Sequence, residues 1–144
     1  MGQYVISTDA RHVDRDLVWR FLHDEAYWSA GVPRNIVERA IDGSIFFSAF
    51  DGDPGRGAPQ VAFARVVTDR ATFAWLCDVF VVAEHRGKGV GRQLMDAVMS
   101  HPDLHGLRNF LLATRGAHGL YARYGFVPLA EPARWMAIRR PYQG

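Results

Sequence analysis

The sequence is poor in the residues that build cross-links and cationic patches. Cys77 is the only cysteine among 144 residues, which excludes an intramolecular disulfide and a cysteine-based metal cluster. Such usage fits a reducing cytoplasm, the compartment expected here. Lys88 is the only lysine, and 17 basic against 15 acidic residues leave a net charge of just +2. Nucleic-acid binding would call for a stripe of Lys and Arg with exposed aromatics, which is missing. No apolar run approaches the roughly 18 residues of a membrane span. The start, MGQYVISTDARHV, lacks the basic-then-apolar layout of a signal peptide, and Ile6 stands where a myristoylation signal needs Ser or Thr. Neither nucleic acid nor membrane is therefore expected as a partner. A metal is not expected either: His101 and His105 have i,i+4 spacing, but Pro102 breaks the helix that this spacing requires, and a surface turn is expected.

What is present is an ordinary globular composition, 49% hydrophobic and 22% charged, at a length that predicts one domain over residues 1–144. Leu17, Val18, Phe21, Leu22 and Ala26 recur near helical spacing within residues 13–28, and Ile36, Val37, Ala40 and Ile41 do so between Pro33 and Gly43. Two helices thus precede three strand-like runs, 45–50, 61–67 and 72–82, whose short connections predict an antiparallel meander. Leu94, Met95, Val98 and Met99 then mark a helix, and residues 110–113 a buried strand, which implies a parallel crossover. A short helix over 117–124 ends at Gly125, and residues 126–129 and 134–138 read as two closing strands. The fold class is mixed α/β.

The most informative stretch is Val79-Phe80-Val81-Val82-Ala83-Glu84-His85-Arg86-Gly87-Lys88-Gly89-Val90-Gly91-Arg92, an apolar strand running into a glycine-rich turn and then a helix. Glycines at 87, 89 and 91 remove side chains that would keep an anion from successive backbone N–H groups. The helix start adds unpaired N–H groups and the positive end of its dipole. Such a turn suits phosphate. A nucleoside-triphosphate loop would need Ser or Thr after Lys88, where Gly89 stands. A dinucleotide fold would place its glycines in the first strand–helix unit, not behind an antiparallel meander.

Arg86-x-x-Gly89-x-Gly91 directly after a strand resembles the pyrophosphate-binding signature of the GNAT acetyltransferases. It is followed by Ala117-His118-Gly119-Leu120-Tyr121-Ala122-Arg123-Tyr124-Gly125-Phe126, which resembles that family's second signature. The resemblance covers residues 4–140 and implies a mostly antiparallel twisted sheet with a central, splayed parallel strand pair and about four helices. It implies acetyl-CoA as acyl donor and a small-molecule or peptide amine as acceptor. Gly87, Lys88, Gly89, Val90, Gly91 and Arg92 would hold the CoA pyrophosphate with help from Arg86. Phe80, Val81 and Thr114 would meet the pantetheine arm, with the Val81 N–H facing the thioester carbonyl, and Tyr121 would be the general acid at the same cofactor. Small members of the family often dimerise, so a homodimer is the assembly to look for.

Asp78 interrupts the apolar run 75–82, so its carboxylate should be hydrogen-bonded, either in a salt bridge or at the site as the group that orients or deprotonates the amine. Tyr27 and Trp28 follow the first helix, where the resemblance places a wall of the acceptor pocket. Cys77 reads as a small core residue, Tyr124 as aromatic packing and His118 as helix surface. Thr114 departs from the family, which often carries Asn there. A CoA-binding sensor without catalysis is the alternative function; a proton donor at Tyr121 argues against it.

Overall fold

The computed structural model describes residues 3–142. Five strands, β1 (Tyr4–Ser7), β2 (Ile45–Asp51), β3 (Gln60–Thr68), β4 (Phe73–Val81) and β5 (Asn109–Leu112), form one sheet in the order β1-β2-β3-β4-β5. All neighbours are antiparallel except β4 and β5, which run parallel. The helices are α1 (Arg15–Asp24), α2 (Arg34–Asp42), α3 (Val90–Ser100) and α4 (His118–Ala122). The mixed class, the meander and the parallel crossover through α3 all match the sequence.

Strand alternation sends neighbouring side chains to opposite faces. Phe47, Ala49, Val66 and Leu76 pack with Leu94, Met95 and Val98 of α3 on one face. Phe46, Phe63 and Phe80 pack with Phe21, Leu22 and Ile41 of α1 and α2 on the other. Both faces being covered, β2 is buried over six successive residues, 45–50, and reads as a continuous apolar run. Short polar devices fix the ends. Asp14 accepts from the Leu17 N–H at 3.0 Å to cap α1. In the β3–β4 hairpin, Asp69 accepts from the N–H groups of Ala71, Thr72 and Phe73 and from the Thr72 hydroxyl. Those donors hold its carboxyl well below the usual carboxylate range.

Two expectations need correction. The first helix stops at Asp24, and Tyr27–Ser29 form a separate 3-10 turn. Ala26 is extended there (φ −82°, ψ 120°) and 2% exposed, so the chain turns to bury a small side chain instead of winding on. The two closing strands, 126–129 and 134–138, are not formed: only a 3-10 turn at Pro132–Arg134 interrupts an otherwise irregular segment. The parallel pair consequently lies at the end of the sheet.

Candidate functional site

The bulge in β4 creates the site. Cys77 and Phe80, three positions apart, oppose Arg65 and Phe63, two apart. The surplus residue is accommodated at Asp78, which sits in left-handed backbone with φ 53°. Asp tolerates that region better than most residues, and a bulge of this kind bends a strand and re-aims its side chains. Beyond it, β4 leaves β5: their pairing ends at Leu76 with Leu112, although β4 continues to Val81.

The Val82 N–H donates to the Val61 carbonyl at 2.9 Å. In the alternating antiparallel ladder, this turns the N–H and C=O of Val81 away from β3, into the gap where β5 has departed. Arg86 Nε donates to the Val81 carbonyl there at 2.9 Å. Phe80 has the opposite phase. Its backbone faces β3, and its ring, 5% exposed, stacks on Phe21 with centroids 4.0 Å apart. Contrary to expectation, Phe80 is therefore a core residue and not part of the gap.

The turn after β4 begins with a 3-10 segment, Ala83–His85, anchored where His85 Nδ1 lies 2.9 Å from the Tyr4 hydroxyl. Gly87 and Gly89 then adopt φ of 78° and 83°, which side chains resist. Gly89 caps α3 without any side-chain hydrogen bond, so the amides of the first turn at Val90, Gly91 and Arg92 stay available. A Cβ placed at Gly87, Gly89 or Gly91 would have no atom within 4 Å. Bare amides, an open cradle and the helix dipole, with Arg86, Lys88 and Arg92 in the same turn, fit a diphosphate.

Beside the bulge lies a charged cluster. Arg65 Nε donates to Asp78 Oδ2 at 2.8 Å, and Trp28 Nε1 donates to Oδ1 at 3.0 Å. The Arg65 and Asp78 side chains are only 16% and 11% exposed, and Arg65 also donates to the Ser44 hydroxyl at 3.1 Å. Both carboxylate oxygens are thus engaged, and the salt-bridge reading of Asp78 holds while Trp28 ties it to the loop after α1. Tyr27 packs edge-on against Trp28 with ring centroids 5.1 Å apart, and the Arg115 guanidinium lies 3.6 Å from the Tyr27 ring centroid. Arg65 and Arg115 are missing from the sequence reading. A lone Arg within the apolar run 61–67, beside a strand carrying a lone Asp, was the available signal for the first; nothing local marks the second.

Tyr121 sits on α4, 8% exposed, with its ring edge-on to Phe126. Among the described residues its hydroxyl makes no hydrogen bond, and burial raises its pKa above the ordinary value. The Tyr124 hydroxyl donates to Asp96 Oδ1 at 2.8 Å, pinning α4 to α3, a structural role. The Thr114 hydroxyl accepts from the Ala117 N–H at 3.1 Å and so shapes the turn into α4. Cys77 is half-buried, with its thiol pushed up to about 12 by burial. His101 accepts from the Asp103 N–H in the turn after α3.

The acetyltransferase (GNAT) domain model matches residues 42–128, more than half of the chain. This protein belongs to the GNAT acetyltransferase family. A Gibberella zeae protein named as an acetyltransferase is 30% identical over 135 residues, spanning 81% of this chain and 75% of its own. A crystal structure from Xanthomonas campestris pv. campestris, assigned to the GNAT family as an acetyltransferase, is 51% identical with a TM-score of 0.91, covering 98% of this chain and 96% of that one. Glucosamine-6-phosphate N-acetyltransferase from Arabidopsis thaliana shares the fold, with a TM-score of 0.66 at 14% identity over 98% and 99% of the two chains. The matched region takes in the Asp78 bulge, the glycine turn and α4.

Proposed function

We propose that this GNAT protein, acting as one domain over residues 1–144, is an N-acetyltransferase that uses acetyl-CoA and acetylates a primary amine of a small molecule or peptide. The observation that carries the reading is the parting of β4 from β5 at the Asp78 bulge, immediately before a turn of uncovered amides. Acetyl-CoA supplies the acyl group as a thioester; the acceptor amine attacks it directly in its neutral form, the C–S bond breaks as the C–N bond forms, and the proton that nitrogen loses to solvent balances the one that sulfur takes up. The amides of residues 87–92 would grip the pyrophosphate. Arg86 would exchange the Val81 carbonyl for phosphate, which frees that carbonyl and the adjacent N–H for the pantetheine arm and the thioester oxygen. An N–H donor at the oxygen where charge develops is worth about 3 kcal/mol of barrier.

Tyr121 supplies the proton that the departing sulfur requires. Burial keeps its hydroxyl protonated at neutral pH, and no protein acceptor competes for that proton among the described residues. Asp78, held by Arg65 and Trp28, shapes the acceptor wall formed by Tyr27 and Trp28. The lone cysteine supports a cytoplasmic setting.

Calorimetry with acetyl-CoA and CoA, followed by thiol-release assays over amines, polyamines, amino acids, aminoglycosides and peptide N-termini, tests the reading. Heat on binding and turnover with at least one amine are expected. No heat with either compound overturns it, and binding without turnover leaves a sensor.

A further inference from the structure

The sheet face that carries the acceptor wall continues into an apolar groove. Leu76 of β4 packs with α3, so strand alternation turns Trp75 and Cys77 to the opposite face, the side of α1 and α2. Arg65 pairs with Cys77, and Leu111 of β5 pairs with Trp75, so these side chains share that face. A groove of about 470 Å³ lies there, lined by Phe73, Trp75, Leu111, Ala113, Trp135 and Met136. Its size suits a small ligand. Phe73, Trp75 and Trp135 are 39%, 46% and 50% exposed, apolar surface that a bound apolar group would cover. The groove ends where the gap begins: β4 and β5 last pair at Leu76 with Leu112, Asp78 follows Trp75 by three positions, and Arg115 follows Ala113 by two.

Two arginines stand at this end, and they differ in what holds them. Arg65 is engaged by Asp78 at 2.8 Å and by the Ser44 hydroxyl at 3.1 Å. Arg115 lies over the Tyr27 ring at 3.6 Å and, among the described residues, has no carboxylate partner. A guanidinium that close to a ring is held by its face, which leaves the N–H groups of its planar edge for an anion with two acceptor oxygens. Because Arg65 neutralises Asp78, the charge left among these residues is a single positive one. It matches one carboxylate. A phosphate dianion would call for a second unpaired cation, and a polyamine for an unpaired acid.

We infer that the acceptor is an apolar α-amino acid: its amine enters the β4–β5 gap, its carboxylate pairs with Arg115, and its side chain lies in the groove. Such a molecule carries these three groups on one carbon, and the gap, Arg115 and the groove converge around residues 75–78 and 113–115. The inference rests on the acyl-transfer reading and names its acceptor, which leaves as the N-acetyl amino acid while CoA leaves as the free thiol. Arg115 and Trp135 are specificity residues that bind the acceptor and take no part in bond making.

Thiol-release kinetics on the full chain with acetyl-CoA test it, comparing L-phenylalanine with L-phenylalaninamide, glycine and spermidine. L-Phenylalanine should give the highest kcat/KM, about tenfold or more above its amide, the effect of a lost charge-assisted contact. A similar factor over glycine, about tenfold, is expected from the filled groove. Arg115→Gln should bring the ratio of acid to amide close to one. Trp135→Ala should shrink the ratio of L-phenylalanine to glycine. Arg115 is exposed and Trp135 half-exposed outside the strands, so both variants should fold. Calorimetry of L-phenylalanine with CoA-saturated protein adds a readout apart from turnover: heat is expected, with weaker affinity in Arg115→Gln. Preference for spermidine or the amide, or ratios that neither variant moves, overturns the inference and leaves acyl transfer standing. Binding of L-phenylalanine with no turnover of any amine overturns acyl transfer and keeps the ligand assignment. Neither heat nor turnover with L-phenylalanine overturns the inference.

Discussion

Trp28 and Asp78, fifty positions apart in the chain, are joined by a 3.0 Å hydrogen bond from the indole N–H to the carboxylate. The bond links the loop after α1 to the bulge in β4, so one carboxylate holds both the proposed acceptor wall and the point where the strands part. Asp78→Asn keeps a residue that tolerates φ 53° and can still accept from Trp28. What it removes is the charge opposite Arg65. Removing one partner of this half-buried pair should cost about 2 kcal/mol, less than for a fully buried one, whereas Trp28→Phe, which deletes one hydrogen bond to a charged group, should cost about 1.5 kcal/mol. Urea denaturation of the two variants should show that order. The reverse order would mean that the guanidinium is solvated after the charge is lost.

Gly91 separates stability from binding. Its φ is not positive, a Cβ there meets nothing within 4 Å, and it lies in the first turn of α3. Gly91→Ala should therefore raise stability, by up to about 1 kcal/mol from helix propensity. The same methyl group projects into the cradle and should weaken acetyl-CoA binding about tenfold or more. Gly89→Ala differs because φ 83° costs an L-residue about 1–2 kcal/mol. Thermal melts and calorimetry on both variants check the contrast. Unchanged acetyl-CoA affinity in Gly91→Ala would move the diphosphate away from this turn.

The glycine turn was legible because its requirements are local: missing side chains, a preceding apolar strand and a following helix all lie within residues 79–98. The meander and crossover were legible for a similar reason, since hydrophobic period and short connections are read over a few residues. The resemblance implied a bulged, splayed strand over 78–82, but its place at Asp78 was not legible, because only the pairing with β3 reveals which residue is surplus. The Arg65–Asp78 pair is likewise a cross-strand relationship, visible in sequence only as two isolated charges. The closing strands failed from the opposite cause. Residues 134–138 do have strand character, but a strand needs a neighbour, and pattern alone does not say where the neighbour is. Phe80 was assigned to the pantetheine arm by the resemblance, and the alternation of backbone direction along β4 turns its backbone to β3 and its ring into the core.

Cys77 should be nearly inert in the native state. Burial lifts its thiol to about 12, from an ordinary value near 9, so the reactive thiolate is scarce at neutral pH. Ellman's reagent at pH 8 should react slowly with the folded protein and rapidly after denaturation. The sign for stability follows from linkage: the folded state holds this proton more tightly than the unfolded chain, so stability is intact below pH 9 and falls as pH rises toward 12. Cys77→Ala should flatten that alkaline decline. Rapid native labelling would show that the thiol is reached by solvent in a way the fold does not suggest.

Tyr121→Phe tests the proton donor with little disturbance to packing, because the ring against Phe126 is retained and the hydroxyl has no hydrogen bond to lose among the described residues. Acetyl-CoA affinity and thermal stability should stay near wild type while turnover falls by about 10²-fold, the usual contribution of a positioned acid. The pH profile adds a readout that packing alone would not move. Burial raises the Tyr121 pKa above 10, so the acid stays protonated through the neutral and mildly alkaline range. Wild-type turnover should hold up to about pH 10 and decline only beyond it, on a limb that Tyr121→Phe lacks. Equal turnover in the two proteins, or an identical alkaline limb, would take Tyr121 out of the chemistry and leave the departing sulfur to be protonated by solvent.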